Sequence, residues 1–237
     1  MRPEDVDRIL AGSKEAPPPE LLERISRRVT ANATPVRPLA SPWQYAAGLI
    51  LIVIAVALLV AGILRMNALR VLNAVQMASI FAVIAIILVI VAAGCVVQMI
   101  PGSRQIARPV TRMVAASAAL AALFAIEFQN YTTDAFVSHG IPCLRAGVIT
   151  AIPAAILCWL ILRRGFILNP VAAGTASGTL AGLAGLAMLE MHCPLLEAPH
   201  VMVWHVAVIP LSAGTGALAG RVAQLRGLKR RDAELMQ

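Results

Sequence analysis

Charged residues are scarce in this 237-residue chain, and that scarcity decides its broad class. Only 14% of the residues are charged and 4% are aromatic, whereas 59% are hydrophobic. An ordinary soluble domain is about 25% charged and about 45–50% apolar. The sequence therefore predicts an integral membrane protein with an all-α fold, built from helices that cross the bilayer.

Other absences remove several function classes. The four cysteines (Cys95, Cys143, Cys158 and Cys193) form no CxxC pair, so the sequence does not support a zinc ribbon or a thioredoxin-type redox site. No glycine-rich loop that could cradle a phosphate is present. The net charge of +8 lies mostly beside the ends of apolar runs, which argues against nucleic-acid binding. No nucleophile and base are arranged for catalysis, so we expect no enzymatic activity.

Six apolar runs are long enough to cross a membrane, which takes about 20 residues in a helix. They lie near 44–64, 74–99, 109–127, 146–162, 171–189 and 201–220. These runs divide the chain into three predicted parts. A cytoplasmic amphipathic segment covers 1–42, a six-helix transmembrane domain covers 43–221, and a basic cytoplasmic tail covers 222–237.

Basic residues predict the orientation of the spans, because cytoplasmic loops are enriched in Lys and Arg. With a cytoplasmic N-terminus, seventeen of the 20 basic residues fall on the cytoplasmic side. These are Arg2, Arg8, Lys14, Arg24, Arg27, Arg28, Arg37, Arg104, Arg108, Arg112, Arg163, Arg164, Arg221, Arg226, Lys229, Arg230 and Arg231. Only Arg65 and Arg70 fall in an outer loop, with Arg145 near the outer end of the fourth span. We therefore expect both termini in the cytoplasm.

The segment before the first span contains an amphipathic helix. Its apolar residues recur at helical spacing, and its opposite face is charged. The apolar stripe consists of Leu21, Leu22, Ile25 and Val29. Such a stripe fits docking onto a partner protein. It equally fits packing on the bilayer surface or on the inner face of the bundle.

The fifth apolar run carries a small residue at every fourth position, namely Gly174, Gly178 and Gly182. This spacing lets helix backbones approach closely in lipid. The sequence therefore predicts a packing seam along the fifth span.

Polar residues of the spans collect at the predicted outer face. An isolated charge in hydrocarbon is unfavourable, so Arg145 needs a partner. Glu127 and Glu190 lie at a similar depth. We expect them to form an ion pair with Arg145 that closes the outer end of the bundle.

The fourth and fifth spans are antiparallel, because only a short basic turn joins them. We therefore expect them to bring Cys143 and Cys193 to the same face of the membrane. Three interpretations of the pair stay open: a permanent structural disulfide, a reversible switch, or two unrelated thiols. His192 adjoins Cys193, and His139 and His200 lie in the same two outer loops. Two thiolates and imidazoles suit a soft metal such as Zn²⁺, Cu⁺ or Cd²⁺. We take Cys143, Cys193, His192 and His139 as the candidate set for transient metal binding and expect no resident cofactor.

Short motifs, densest in the second half of the chain, carry a family resemblance. They are Gly140-Ile141-Pro142-Cys143, Leu162-Arg163-Arg164-Gly165, Asn169-Pro170, Gly174, Gly178, His192-Cys193-Pro194 and Trp204-His205, with Pro35-Val36-Arg37-Pro38-Leu39 and Trp43 before the first span. On these residues the chain resembles the NrsF-type anti-sigma factors. These are six-span proteins of the bacterial inner membrane that restrain an extracytoplasmic-function (ECF) sigma factor.

The resemblance implies a membrane-bound anti-sigma factor that releases its ECF sigma factor under heavy-metal or oxidative stress. It places the sensing role on Cys143 and Cys193, since the family carries one outer-face cysteine in each of two loops. The implied partners are the sigma factor and the lipid bilayer, with no direct contact to nucleic acid. Rival classes are a small transporter, for which midplane charges and internal repeats are missing, and a structural subunit with an inert disulfide. A quinone-coupled thiol oxidoreductase would need a second cysteine pair.

Overall fold

The computed structural model describes residues 19–31, 41–100, 107–133, 136–165 and 167–235. Every regular element in these ranges is helical, and none of them contains a strand. The predicted all-α fold is therefore confirmed.

Seven long helices follow one another along the described residues. They are α1 Pro19–Ala31, α2 Pro42–Leu64, α3 Ala74–Val97, α4 Pro109–Glu127, α5 Phe136–Leu162, α6 Pro170–His192 and α7 Val208–Leu235. A one-turn helix at Ala198–His200 and a π-helical turn at Val201–His205 precede α7. Together with α7 they form the sixth span, Ala198–Arg226. Within the described ranges, six helices are thus long and apolar enough to cross a membrane, and the chain is a multi-pass membrane protein.

The helix starts follow recognisable capping signals. Asn73 accepts a hydrogen bond from the backbone N–H of Gln76 at 2.8 Å, at the start of α3. Asn169 does the same for Ala172 at 3.0 Å, at the start of α6. Such side chains satisfy backbone donors that the first helical turn leaves unpaired.

The chain divides into two compact units, Met1–Leu39 and Ala40–Gln237. The first contains α1, on which Glu23 and Arg27 form a salt bridge at 3.3 Å, one turn apart. Both side chains are exposed, so the pair adds little stability. The second unit contains all six membrane-spanning helices.

Helix α6 lies at the centre of the second unit. In an apolar stretch of 18 residues within α6, 89% of the residues are buried. The corresponding share in the other five spans is at most 50%. Gly174 packs directly against the backbone of Gly216 in α7. One turn further on, Gly178 packs against the backbone of Ser212. A Cβ atom at either glycine would overlap that backbone, so the predicted packing seam is confirmed.

A second close approach joins α6 to α5. Gly185 of α6 packs against the backbone of Gly147, and Gly147 in turn lies against the side chain of Leu189. The first half of α5 therefore lies beside the second half of α6. This contact fixes the height of Cys143, one turn before Gly147, relative to the end of α6.

Helix α5 begins ten residues before the predicted run at 146–162. The rings of Phe136 and Trp204 are 5.3 Å apart, and Gly140 lies directly against the Trp204 indole. This packing stabilises the first turns of α5, although Gly140 and Pro142 are poor helix formers. Cys143 consequently lies inside the helix rather than in a loop before it.

Candidate functional site

Four side chains from three segments meet at one end of the bundle. They are Cys143 of α5, Cys193 directly after α6, and His200 and His205 at the start of the sixth span. Each offers one sulfur or ring nitrogen, and these atoms lie within 4.8 Å of one another. Cys143 is half-buried and the other three are buried. We call these four residues the Cys-His cluster.

The two thiols are in direct contact. Their sulfurs are 3.5 Å apart, a hydrogen-bond distance for thiols, and both cysteines are free. The hydrogen bond with Cys143, followed by burial, raises the pKa of the Cys193 thiol. A disulfide bond is about 2.05 Å long, so oxidation needs an approach of about 1.5 Å.

Local sequence explains why Cys193 lies at this point. A residue before proline is disfavoured in helical conformation, and Pro194 therefore ends α6 at His192. The backbone N–H of Cys193 still bonds to the Leu189 carbonyl at 2.8 Å. The side chain is held at the helix end and is 3% exposed.

The π-helical turn brings the two histidines together. In an α-helix, residues five apart point about 140° away from each other. Here the Val206 N–H bonds to the Val201 carbonyl at 3.4 Å, and this i to i+5 pattern aligns residues five apart. The rings of His200 and His205 meet edge to face with centroids 5.2 Å apart. His200 Nε2 lies 3.7 Å from Cys193 Sγ.

Glu190 orients the ring of His205. The carboxylate Oε1 lies 2.7 Å from His205 Nδ1, and both side chains are 1% exposed. When Nδ1 carries the proton and donates to the carboxylate, Nε2 is left as the free ring nitrogen. That Nε2 is buried without a well-formed hydrogen bond, and the His205 ring lies beside Cys193. A buried polar atom without a partner is unfavourable, so this nitrogen is available to a ligand.

Two of the predicted metal ligands lie elsewhere. His192 Nδ1 is 2.9 Å from the backbone carbonyl of Arg65, so it connects the end of α6 to the segment after α2. His139 is exposed on α5. Neither belongs to the Cys-His cluster, whose histidines are His200 and His205. The prediction took histidines close to the cysteines in sequence, whereas the π-helical turn supplies the ones close in space.

The predicted ion pair of Arg145 with Glu127 and Glu190 does not form. Arg145 is exposed. It follows Cys143 by two residues and therefore points about 200° around α5 from the face that meets α6. Glu190 bonds to His205 instead.

The predicted docking stripe on α1 is described only in part. Leu22 is 53% exposed. The side chains of Leu21, Ile25 and Val29 lie outside the described residues. The role of this stripe in partner binding stays a prediction.

Comparison with known proteins adds the identity of the family. A family model, described as "NrsF: Negative regulator of sigma F", matches residues 29–225. The match contains the whole Cys-His cluster and Glu190. No curated protein and no solved structure matches the chain. The family's role is regulatory rather than enzymatic. Because the matched region covers most of its length, the chain belongs to the NrsF family of negative regulators of a sigma factor.

Proposed function

We propose that the protein is an anti-sigma factor of the bacterial inner membrane that restrains an ECF sigma factor and releases it when Cys143 and Cys193 are oxidised or bind a soft metal. The observation that carries this proposal is the 3.5 Å separation of the two sulfurs, in a family that regulates a sigma factor. The sulfurs come from different helices, so joining them ties α5 to the end of α6.

The charge distribution supports an outward-facing Cys-His cluster. Arg163 and Arg164 follow the end of α5 that is far from Cys143. Basic loops favour the cytoplasm. With both termini in the cytoplasm, the cluster faces the periplasm, where disulfides persist and external ions arrive.

Two inputs act on the same two sulfurs. In oxidation, each thiol gives up one proton and one electron, an S–S bond forms, and a peroxide-class oxidant accepts the two electrons. In metal binding, the thiols release their protons and the ion takes both thiolates without electron transfer. Either event removes the free dithiol.

The packing seam supports a route toward the cytoplasmic ends. Along it, α6 meets α7 through direct backbone contact at Gly174 and Gly178. Small displacements of packed helices are a common form of switching. A shift that starts at the end of α6 can therefore move the opposite, cytoplasmic ends of the helices and release a sigma factor that is held there.

The sensing role is tested by replacing Cys143 and Cys193 with serine, singly and together. Transcription from a promoter dependent on the ECF sigma factor is recorded with and without Cd²⁺ or peroxide. We expect induction in the wild type and none in the double variant. Cys158→Ser is the matched control, because Cys158 is buried in α5 outside the cluster. An equal response of wild type and double variant would remove the sensing role.

A further inference from the structure

We propose that the Cys-His cluster is a tetrahedral site for one divalent d¹⁰ metal ion, Zn²⁺ or Cd²⁺, in which Glu190 positions His205. The inference rests on the proposed function in one respect only, because both take the two thiols as the site where the signal acts. It goes further by assigning His200 and His205 as ligands and by fixing the charge and geometry of the ion.

The separations in the cluster match those of a zinc site. Zn–S bonds are about 2.3 Å and Zn–N bonds are about 2.0–2.1 Å. A tetrahedron with these bonds places two sulfurs about 3.8 Å apart, and a sulfur and a nitrogen about 3.5 Å apart. The sulfurs of Cys143 and Cys193 are 3.5 Å apart, and Cys193 Sγ lies 3.7 Å from His200 Nε2. No pair exceeds 4.8 Å, so closing the site takes shifts of roughly 1 Å.

The pairing of His205 with Glu190 is independent support for a ligand. A metal-binding histidine ordinarily donates its other ring N–H to a carboxylate, which fixes the tautomer and the ring orientation. His205 Nδ1 has this partner at 2.7 Å, and its Nε2 is buried without a well-formed hydrogen bond. The protein thus orients one ring nitrogen of His205 and leaves it unbonded, so that it can bind an external ligand.

Charge and ligand type select the ion. Two thiolates balance a dication, and two neutral imidazoles add no charge, so the filled site is neutral at a buried position. A Cu⁺ ion would leave a net negative charge close to Glu190. Mg²⁺ and Ca²⁺ prefer oxygen ligands, whereas tetrahedral S₂N₂ sets favour zinc.

The ion joins three segments at one point. Cys143 belongs to α5, Cys193 follows α6, and both histidines belong to the start of the sixth span. Binding of the ion and formation of the disulfide exclude each other, because both use the same sulfurs. Metal binding and oxidation are therefore alternative ways of ending the free-dithiol state, and the bound ion fixes one arrangement of the three helix ends.

The first test uses the reduced full-length protein, purified in detergent without metal and titrated with Co²⁺. A tetrahedral Cys₂His₂ site gives intense visible absorption and sulfur-to-cobalt charge-transfer bands. We expect these bands to saturate at one Co²⁺ per chain and to disappear when Zn²⁺ is added. Unsaturable binding, or the weak spectrum of octahedral Co²⁺, would overturn the proposal without recourse to any variant.

Variants then assign the ligands. We expect His200→Ala and His205→Ala each to lower the Zn²⁺ affinity at least about 10-fold, and Glu190→Gln to lower it by about 10–100-fold. His139→Ala and His192→Ala are matched controls that leave affinity unchanged, because neither residue belongs to the cluster. Full affinity in both cluster-histidine variants would reduce the site to two thiols and overturn the four-ligand assignment.

Binding and signalling are measured separately. One-ion binding without any effect of the cysteines on transcription would overturn the proposed function and leave the metal site standing. A cysteine-dependent transcriptional response in a protein that binds no Co²⁺ or Zn²⁺ would overturn the metal site and leave the dithiol as the sensor.

Discussion

Glu190 and His205 lie 15 residues apart in the chain, yet their side chains form a hydrogen bond of 2.7 Å in the buried end of the bundle. The bond connects the last turn of α6 to the π-helical turn that precedes α7. It lies beyond the stretch where α6 and α7 meet through glycine backbone. The same contact therefore joins two spans and orients one ring of the Cys-His cluster.

Removing one partner of this buried pair is expected to destabilise the bundle. Glu190→Leu leaves the buried His205 ring without its partner, and leaving a buried polar group unsatisfied costs about 1–3 kcal/mol. Unfolding in detergent, followed by circular dichroism, measures the change. Glu127→Leu is the matched control, because Glu127 is half-exposed and makes no salt bridge among the described residues. An equal effect of the two substitutions would mean that the pair has no special role in stability.

The packing seam predicts a sharp contrast between two glycines. Gly178→Ala places a Cβ against the backbone of Ser212, and overpacking of this kind costs about 1–3 kcal/mol. Gly214→Ala in α7 meets open space and removes a flexible residue, so its effect is neutral or favourable by about 0.5–1 kcal/mol. Thermal unfolding of the two variants measures the difference. Equal stability would contradict the close contact of α6 and α7.

Thiol labelling is expected to show the orientation of the cluster. In intact spheroplasts, a membrane-impermeant maleimide should modify Cys143, which is half-buried at the predicted outer end. Cys193 should react more slowly, since it is buried and has a raised pKa. The labelling rate of Cys193 should keep rising as the pH is increased, because only the thiolate reacts and a raised pKa moves thiolate formation to higher pH. If the cysteines were labelled only after the membrane is permeabilised, the cluster would face the cytoplasm, which is opposite to the proposed topology.

The redox state of the pair separates a switch from a structural disulfide. Acid trapping followed by mass-tagging should find Cys143 and Cys193 reduced in unstressed cells and joined after exposure to peroxide. Cys95 and Cys158 serve as internal controls, because both are fully buried and lie outside the Cys-His cluster. A pair that is oxidised in every condition would favour the inert structural subunit.

The exposed part of α1 is expected to contribute to sigma-factor binding. Leu22→Asp places a charge where the predicted docking stripe is apolar, and a loss of about 10-fold in retained sigma factor corresponds to 1.4 kcal/mol. Co-purification from membranes with the full-length chain measures retention. Thr30→Asp is the control, because Thr30 is exposed on the same helix outside the stripe. If Leu22→Asp retained as much sigma factor as the wild type, the stripe would not bind the sigma factor, and packing on the bilayer surface would be favoured.

Much of the fold could be predicted because lipid imposes a strong rule. A stretch of about 20 residues without charge indicates a span, and the predicted second span at 74–99 begins with α3 and ends within two residues of it. Small residues at Gly174 and Gly178 likewise indicated the seam. The start of α5 could not be predicted, because it depends on the contact of Phe136 and Gly140 with Trp204, which is distant in sequence.

The candidate site could be predicted only where connectivity determines it. Two antiparallel spans bring Cys143 and Cys193 to one end whatever their exact packing. The contribution of His200 and His205 depends on a π-helical turn, and a spacing of five residues matches no α-helical period. The pairing of Glu190 depends in the same way on that turn, because the turn positions its partner His205.

The central claim is tested most directly by measuring how much ECF sigma factor stays bound to membranes that contain this protein. Wild type and the double variant Cys143→Ser with Cys193→Ser are compared before and after treatment with Cd²⁺ or peroxide. The account predicts that treatment releases the sigma factor from wild-type membranes and that the double variant retains it. Equal release from both would contradict a role for the two thiols in control of the sigma factor.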